Sequence, residues 1–378
     1  MAVSFTIAPE QQQLTQAARS FAQTHLRPLA TAVADEPDAL RRAMLAQPVF
    51  EKAVAAGFLK GLIPVPAGGT GGGGVDAAIF VEEWAVESPD FFITFAGPLI
   101  ALMPVYEAGT PEQVQRFVAP FLADSGTPIA AIAFSEPEGS ANFADPAPGG
   151  VRTSAVHDGQ DYVLNGRKAW ASQLSGWDGD GPDVMTIVCR APGGVSIVVA
   201  EREHLAGHIE VEEHYDLPGL RGCLTSRVHL HDVRVPRANL IGAEGQGVEL
   251  TRNAFLPSGA SIGAFAAAAM RKAFDVAHTF ATSDSRGGPG PVINHQSVAD
   301  VLASAKSKTE AVRLLTWRAL DAVLSQDPSG AEWALHAKTL GSDLGLQVVN
   351  ELVQVVGMQA YDAHHPLMRT LNEVLATH

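Results

Sequence analysis

The sequence predicts an α+β protein with an N-terminal helical domain (residues 1–125), a central β-barrel-like domain (126–236) and a C-terminal helical bundle (237–378). Apolar residues recur at helical spacing up to about residue 125 and again after Gly247. Between these parts, short apolar runs alternate with turn residues, which is typical of strands. A length of 378 residues suits two or three domains.

Composition and charge argue against several classes of protein. Hydrophobic residues make up 46% and charged residues 18% of the chain, which is typical of a globular fold. A net charge of −15 without a long basic run argues against nucleic acid or an anionic membrane as a partner. The two cysteines, Cys189 and Cys223, support neither a disulfide framework nor a zinc site, so no metal is expected. We see no signal peptide and no membrane-spanning apolar run, and expect a soluble cytoplasmic protein.

Helical spacing predicts the elements of the first domain in order. In the first of them, Leu14, Ala17, Ala18 and Phe21 form an apolar stripe. The predicted helices are Pro9–His25, Phe50–Phe58, Asp76–Val86, Pro98–Ala108 and Pro111–Ala123.

A glycine-rich segment, Gly69–Gly74, satisfies the dinucleotide-binding pattern G-x-G-x-x-G. A nucleotide-binding loop of that kind directly follows a hydrophobic strand, whereas here Pro64 and Pro66 interrupt the preceding run. No acidic residue closes a second strand about 20 residues later, as that fold needs. We therefore predict a loop between two helices, and not a nicotinamide site.

Two serines mark predicted strand ends in the central domain. Ser135 follows the apolar run that begins at Ala130, and Ser172 follows Trp170 by two residues. Hydroxyls and an indole at one rim of a small sheet suit a flat ring with polar edges, although either serine alone also fits an ordinary strand end.

Turn dipeptides set the expected strand pairing. Asp158-Gly159 and Asn165-Gly166 both tolerate the backbone angles of a two-residue hairpin turn, so residues 162–164 and 167–170 are expected to be paired strands. The sheet is expected to end at Pro236, because proline cannot donate a ladder hydrogen bond. The other predicted strands are Val184–Cys189, Val195–Ala200 and Arg227–His231.

Helices return after Gly247. Residues Val248–Ala281 form a long alanine-rich helix in which Pro257 predicts a kink or a break. A glycine-rich loop follows at 283–291. The remaining predicted helices are Gln296–Leu324, Ala331–Val356 and Pro366–Val374, the last of which the sequence leaves short, so that the bundle looks incomplete.

Several motifs share one order and spacing. They are Ile63 to Gly69 with Glu82 and Glu83, Phe134 to Pro137 with Gly139 and Ser140, Lys168 to Ser172, Gly219 to Gly222 with Asp232 to Pro236 and Gly242 to Gly247, Arg286 to Gly288 with Gln296, and Gln354 to Gly357. Together they resemble the acyl-CoA dehydrogenase superfamily of flavoproteins over nearly the whole chain. The resemblance implies FAD as the cofactor and a homotetramer.

Within that superfamily, other segments look like the nitroalkane oxidase branch. They are Ile63 to Thr70, Ser135 to Gly139, Ser175 to Trp177, Ser283 to Gly288, His295 to Asp300 and Leu371 to Val374. One region departs from the branch, since Gly219 to Thr225 is more like an ordinary acyl-CoA dehydrogenase.

The resemblance also implies which residues contact the flavin. Those on its pyrimidine side are Ile132, Ala133, Phe134 and Ser135 with Gly139 and Ser140, and those flanking the ring are Trp170, Ala171 and Ser172, whose hydroxyl would face N5. A second set, Arg286, His295, Gln296, Gln354 and Gly357, would reach a cofactor held mainly by a neighbouring subunit. Considered alone, Arg286 also fits a solvent-exposed charge on a loop. Its planar guanidinium suits a pyrophosphate, and its spacing to Gln296 favours this cofactor-binding role.

The catalytic base is expected outside the sequence. In the resembling branch an aspartate follows the Leu371–Val374 segment, and the register places it just beyond His378. Glu249 is interpreted as a solvated charge at a helix start. Ser258, which matches a serine near the base in that branch, and Ser172 remain the catalytic candidates; Ser258 also suits simple packing.

These observations predict a flavin-dependent oxidoreductase that removes a proton and a hydride from a small carbon acid. The leading hypothesis is a nitroalkane oxidase-like reaction, in which a nitroalkane and O₂ give an aldehyde or ketone, nitrite and H₂O₂. The alternatives are an acyl-CoA dehydrogenase, a reduced-flavin-dependent monooxygenase and, if the chain ends at His378, a catalytically silent flavoprotein.

Overall fold

The computed structural model describes residues 7–377. Its first part is helical, as predicted, but with more and shorter helices than the periodicity indicates. Proline or glycine at or beside many helix starts divides the runs. The helices are α1 (Pro9–Phe21), α2 (Arg27–Asp35), α3 (Ala39–Met44), α4 (Gln47–Ala55), α5 (Phe58–Leu62), α6 (Gly74–Ala85), α7 (Pro89–Phe95), α8 (Gly97–Ala101), α9 (Met103–Ala108) and α10 (Pro111–Val118).

The glycine-rich segment connects α5 to α6, which confirms the prediction of a loop between helices. It folds back on Ile63, whose carbonyl oxygen accepts a hydrogen bond from the Gly71 amide. A Cβ at Gly69 would lie 2.0 Å from the same carbonyl oxygen, so this turn requires glycine. The glycines therefore serve close backbone packing.

The central sheet has eight strands in the order β6-β7-β3-β2-β4-β5-β8, with β1 paired to β4. The β1–β4 pair is parallel, and most other pairs are antiparallel. The strands are β1 (Ala130–Ala133), β2 (Ser154–Asp158), β3 (Asp161–Ser172), β4 (Val184–Ala191), β5 (Gly194–Glu201), β6 (Ile209–His214), β7 (Thr225–Pro236) and β8 (Leu240–Ile241), with a short helix α11 (Arg202–Leu205) between β5 and β6.

Only one of the two predicted hairpin turns is present. The Asp158-Gly159 turn joins β2 to β3. The prediction of a turn at Asn165-Gly166 is wrong, because residues 161–172 form a single strand with an irregularity between Leu164 and Gly166. There the side-chain Nδ2 of Asn165 donates to the Asp232 carboxylate over 2.9 Å. A Cβ at Gly166 would lie 2.6 Å from the Cα of Thr153. The dipeptide thus makes a bulge against neighbouring strands.

The predicted end of the sheet at Pro236 is also wrong. Strand β7 does end there, but the chain turns through Arg237–Asn239 and β8 pairs with β5. A two-residue strand is too short to give an alternating pattern in the sequence.

Four helices form the last part of the described chain, and the first three of them are much longer than the fourth. They are α12 (Gly247–Ser283), α13 (Gln296–Leu324), α14 (Gly330–Val356) and α15 (Pro366–Leu375). Helix α12 runs through Pro257 without a break. Small side chains at the contacts, such as Gly263 and Ala266 on α12 beside Gly341 and Gly345 on α14, let the helices approach closely.

A buried ion-pair cluster joins the first helical part to the last. Glu83 of α6 accepts hydrogen bonds from Arg19 and Arg271, and Glu82 accepts from Arg271 and Arg313. Both carboxylates are buried. Helix α6 is thereby fixed to α1, α12 and α13.

Within residues 7–377, no single helix is long and apolar enough to cross a membrane. The helices over 89–95 and 97–108 meet that length and composition only as a pair, and they are bent by 48° at their junction.

Candidate active site

A cavity of about 910 Å³ lies where the helices meet the ends of β1 and β3. The wall from the sheet and the wall from α12 both carry residues that the sequence predicts as site residues. Those lining the cavity are Ile132, Phe134, Ser135, Trp170, Ala171, Ser172 and Ser258. The structure therefore brings together seven predicted residues from three separate stretches of sequence.

A buried ion pair fixes the two serine-bearing segments relative to each other. The Lys168 ammonium of β3 donates to Glu136 (3.1 Å), to the carbonyl oxygen of Phe134 (3.1 Å) and to that of Val188 (2.7 Å). Glu136 also accepts from the Thr153 amide and hydroxyl. Burial alone would raise the pKa of Glu136, but Lys168 and these hydrogen bonds hold it below its ordinary value. A charged pair thus anchors the chain on either side of Ser135.

The Ser135 hydroxyl faces the turn that follows it. Its oxygen lies 3.3 Å from that of Ser140, at hydrogen-bond distance. Gly139 has φ of +99°, which glycine adopts without strain, and its amide donates to the Glu136 carbonyl. Among the predicted residues, Ala133, Gly139 and Ser140 do not line the cavity; Ala133 is completely buried behind it.

Ser172 ends β3 and is bonded by a cysteine. The Cys223 thiol donates to the Ser172 oxygen over 3.1 Å. Burial raises the pKa of Cys223 to about 11, so the thiol keeps its proton and remains a donor at neutral pH. The Ser172 hydroxyl hydrogen is therefore free to be donated to another acceptor.

Trp170 occupies an unusual backbone conformation at the rim of the cavity. Its φ is +61°, which is rare for a large side chain, and the β3–β7 pairing is irregular between Lys168 and Ala171. The indole is about half exposed and stacks on Tyr215 at 4.1 Å with an angle of 6°. Backbone strain of this kind commonly marks functional positions.

Glu373 is a cavity residue that the sequence analysis did not identify. Its carboxylate lies 3.5 Å from the Lys272 ammonium, and burial raises its pKa. The other carboxylate that lines the cavity is that of Asp76, which caps α6 by accepting from the Gly73 amide. Glu249 is exposed in the first turn of α12 and does not line the cavity. In the structure Glu373 follows the buried Thr370 by three residues and so shares its helix face, but the sequence does not show which cavity that face borders.

Two domain families match the chain on either side of the sheet. The acyl-CoA dehydrogenase N-terminal domain matches residues 8–125, and the acyl-CoA dehydrogenase C-terminal domain matches residues 245–378. The chain belongs to the acyl-CoA dehydrogenase family. The family and fold predicted from the sequence are thereby confirmed.

Nitroalkane oxidases are among the most similar members of the acyl-CoA dehydrogenase family. The enzyme from Podospora anserina is 36% identical, over 98% of this chain and 91% of its own length. Its solved structure has a TM-score of 0.95 at 35% identity, over 100% of this chain and 92% of that chain. A nitroalkane oxidase active-site variant, with asparagine replacing an aspartate, was crystallized with 1-nitrooctane; its TM-score is 0.94 at 30% identity, over 99% and 92% of the two chains.

The second predicted set of cofactor residues of this acyl-CoA dehydrogenase family member lies away from the cavity. The Arg286 guanidinium donates to the Val356 carbonyl, beside Gly357, and lies 4.7 Å from the Phe280 ring. His295 precedes α13, and the Gln296 amide nitrogen donates to Asp300 over 2.7 Å. Gln354, like Arg286, is exposed. The structure thus joins Arg286 to the Gly357 segment, and it joins none of this set to the cavity.

Proposed function

We propose that this protein is an FAD-dependent oxidase that converts small nitroalkanes, O₂ and water into aldehydes or ketones, nitrite and H₂O₂. The observation that carries the proposal is one cavity lined by Ser135, Trp170, Ser172 and Ser258 in a chain 36% identical to a nitroalkane oxidase over nearly its full length. When bound, FAD supplies the two-electron acceptor for this chemistry.

The residues of the sheet wall fit the isoalloxazine ring of FAD. The Ser172 hydroxyl hydrogen is free, because its oxygen already accepts from Cys223, and a ring nitrogen such as N5 is a suitable acceptor. Ser135 provides a second hydroxyl at the same wall, and the Lys168–Glu136 pair fixes both segments. We assign the contacts with the flavin ring to Ile132, Phe134 and Ser135 and to Trp170–Ser172.

The helical wall of the cavity provides a site for the alkyl chain of a substrate. Apolar residues of α7, α8 and α9 line the cavity, among them Phe92, Ile93, Leu99, Ile100 and Met103. Each buried CH₂ contributes about 0.8 kcal/mol to binding. Because a related active site was crystallized with 1-nitrooctane, we propose primary nitroalkanes with chains of similar length as substrates.

Proton removal requires a carboxylate near the substrate carbon. The aspartate expected just beyond His378 lies outside the described residues. Within residues 7–377, Glu373 is the cavity carboxylate that is not used as a helix cap. A raised pKa in a largely apolar cavity is common for carboxylates that take part in proton transfer. We therefore propose that Glu373 takes part in proton transfer, with Ser258 in contact with the substrate.

The test uses the purified protein and measures its flavin spectrum, O₂ uptake and nitrite release. We expect a flavin absorption band, and we expect nitrite to be released in the same amount as O₂ is consumed. The kcat/KM should rise from nitroethane to 1-nitrooctane. An acyl-CoA with an artificial electron acceptor should give no turnover. Acyl-CoA oxidation without nitroalkane oxidation would replace the proposal by an acyl-CoA dehydrogenase, and a C4a-hydroperoxide that needs added reduced flavin would indicate a monooxygenase.

We also propose that the protein is a cytoplasmic homotetramer. Support comes from Arg286, His295, Gln296 and Gln354, which are exposed and do not line the cavity, so that they are available to a cofactor bound by a neighbouring subunit. Light scattering of the holoprotein should give four times the mass of the chain.

A further inference from the structure

A cluster of metal-binding side chains lies on the edge of the sheet formed by β6 and β7. His229 and His231 are two residues apart on β7 and therefore point to the same face. Glu210 of β6 is directly opposite His229 in the strand register. The two imidazole rings are 3.8 Å apart, and the His231 Nε2 lies 2.8 Å from a Glu210 carboxylate oxygen.

We propose that Glu210, His229 and His231 bind a divalent transition-metal ion of the Zn²⁺ class. One ligand atom from each residue lies within 4.8 Å of the other two. Zinc bonds of about 2.0–2.2 Å to nitrogen and oxygen place neighbouring ligands roughly 3.3 Å apart. Small side-chain rotations close the remaining gap, since the strand register already fixes the backbone. Imidazole and carboxylate are ligands that zinc and copper favour.

The surroundings of the cluster support a cation. Glu212 lies 3.8 Å from the His229 Nδ1, and metal-bound histidines commonly direct their second nitrogen to a carboxylate. Arg167, opposite His229 on β3, carries a positive charge that would repel a cation, but its guanidinium is paired with Glu212 at 2.6 Å. Arg227 is likewise paired, with Glu212 and Glu213. With the ligand Glu210 included, three glutamates (Glu210, Glu212 and Glu213) and two arginines (Arg167 and Arg227) lie at this edge of the sheet.

This site is separate from the cavity but connected to it through β6. None of the three ligands lines the cavity. Among the strands of residues 7–377, β6 is at the sheet edge and pairs with β7 alone, so an ion bound by both strands would fix it in place. Tyr215, which stacks on Trp170 at the cavity rim, directly follows β6. We therefore assign the ion a structural role that stabilises this rim.

The test is titration of the chelator-treated holoprotein with Zn²⁺ in a calorimeter, and with Cu²⁺ followed by electron paramagnetic resonance. We expect saturable binding of one ion per chain, with two imidazole nitrogens bound to Cu²⁺, and a higher thermal unfolding midpoint when Zn²⁺ is present. His231→Ala and Glu210→Gln should each weaken binding at least tenfold and reduce that thermal shift.

A matched control is His336→Ala, because His336 is also exposed and lies 3.5 Å from a glutamate, Glu332, but has no third ligand. It should bind Zn²⁺ as the unchanged protein does. Absence of saturable binding, or equal binding by the unchanged protein and a correctly folded Glu210→Gln variant, would overturn the proposal. Circular dichroism of each variant distinguishes loss of the site from loss of the fold.

Discussion

At the scale of single residues, Lys168 is a cation placed where water cannot reach it. Its three acceptors replace the lost hydration, and Glu136 neutralises its charge. The folded state tolerates these buried charges only while both are present, because either one alone would be an uncompensated buried charge. Lys168 is bonded to both neighbours of Ser135 and lies on the strand that ends at Ser172, so this energetic constraint bears on the geometry of the proposed flavin site.

Lys168→Met should therefore strongly destabilise the protein and weaken its binding of FAD. Removing one member of a buried pair costs about 3–5 kcal/mol. Urea unfolding measures the loss, and flavin release on dilution measures the effect on binding. Lys306→Met removes an exposed pair with Glu310 and should change the stability by less than about 1 kcal/mol. Equal effects of the two substitutions would show that the buried pair has no special importance.

Glu373 provides a second prediction at this scale, which rests on its proposed role in proton transfer. Burial raises its pKa above the ordinary 4.5, although the Lys272 ammonium opposes this shift. A step that needs the carboxylate anion should lose rate as the pH falls through that raised pKa. Glu373→Gln should lower kcat/KM by about 10²-fold, the lower end of general acid–base catalysis, and remove this acidic limb.

The matched control for that prediction is Glu249→Gln, because Glu249 is also a helical glutamate but is exposed and does not line the cavity. It should leave kcat/KM and its pH profile unchanged. If both variants retain full turnover, another group accepts the proton.

At the scale of elements, α6 depends on charge pairing for its attachment. Its two glutamates lie in an apolar interior, and three arginines from α1, α12 and α13 reach them. Burial would raise the pKa of Glu83, but hydrogen bonds from Arg19 and Arg271 lower it to about 2. The unfolded chain has no such pairing, so the carboxylate favours the folded state.

Acid should therefore weaken the packing of α6. Because the folded pKa is depressed, the contribution of Glu83 is complete above pH 4.5 and is lost as the pH falls toward 2. A shift from 4.5 to about 2 corresponds to roughly 3 kcal/mol. Unfolding free energies measured from pH 6 to pH 3 should show this decline, and Glu83→Gln should be less stable at pH 7 with a shallower decline. A parallel decline in the variant would place the acid sensitivity elsewhere.

The elements also show how far sequence patterns reach. Long periodic runs predicted α13 and most of α12. The family resemblance implied seven residues that the structure places in one cavity. Asn165-Gly166 was misread because its conformation is set by Asp232 and Thr153, which are distant in sequence. Glu373 was missed because a helix-face pattern does not reveal which cavity that face borders. The pairing of Glu210 with two histidines likewise depends on a strand register that short-range patterns do not contain.

At the scale of the whole molecule, the two predicted sets of cofactor residues lie in different places. Most of the first set lines the cavity, whereas Arg286 and Gly357 of the second set meet at the end of α14 and no member of that set lines the cavity. A single chain that used both sets for one FAD would have to span that separation. A neighbouring subunit removes the difficulty, because the exposed set of one chain can contact the cofactor bound in the cavity of the next.

Arg286→Ala therefore tests assembly and cofactor binding together. Loss of a charged hydrogen bond to the FAD pyrophosphate should weaken binding by about 1.5–3 kcal/mol, and the fraction of tetramer should decrease with the loss of flavin because the two equilibria are linked. Arg318→Ala is the matched control, since Arg318 is also exposed and also stacks on a ring, that of Trp333, while it lies outside the predicted set. It should retain both FAD and the tetramer. An Arg286→Ala protein that binds FAD normally as a monomer would exclude a cofactor shared between subunits, whereas weaker binding in a monomer would assign Arg286 to the FAD of its own chain.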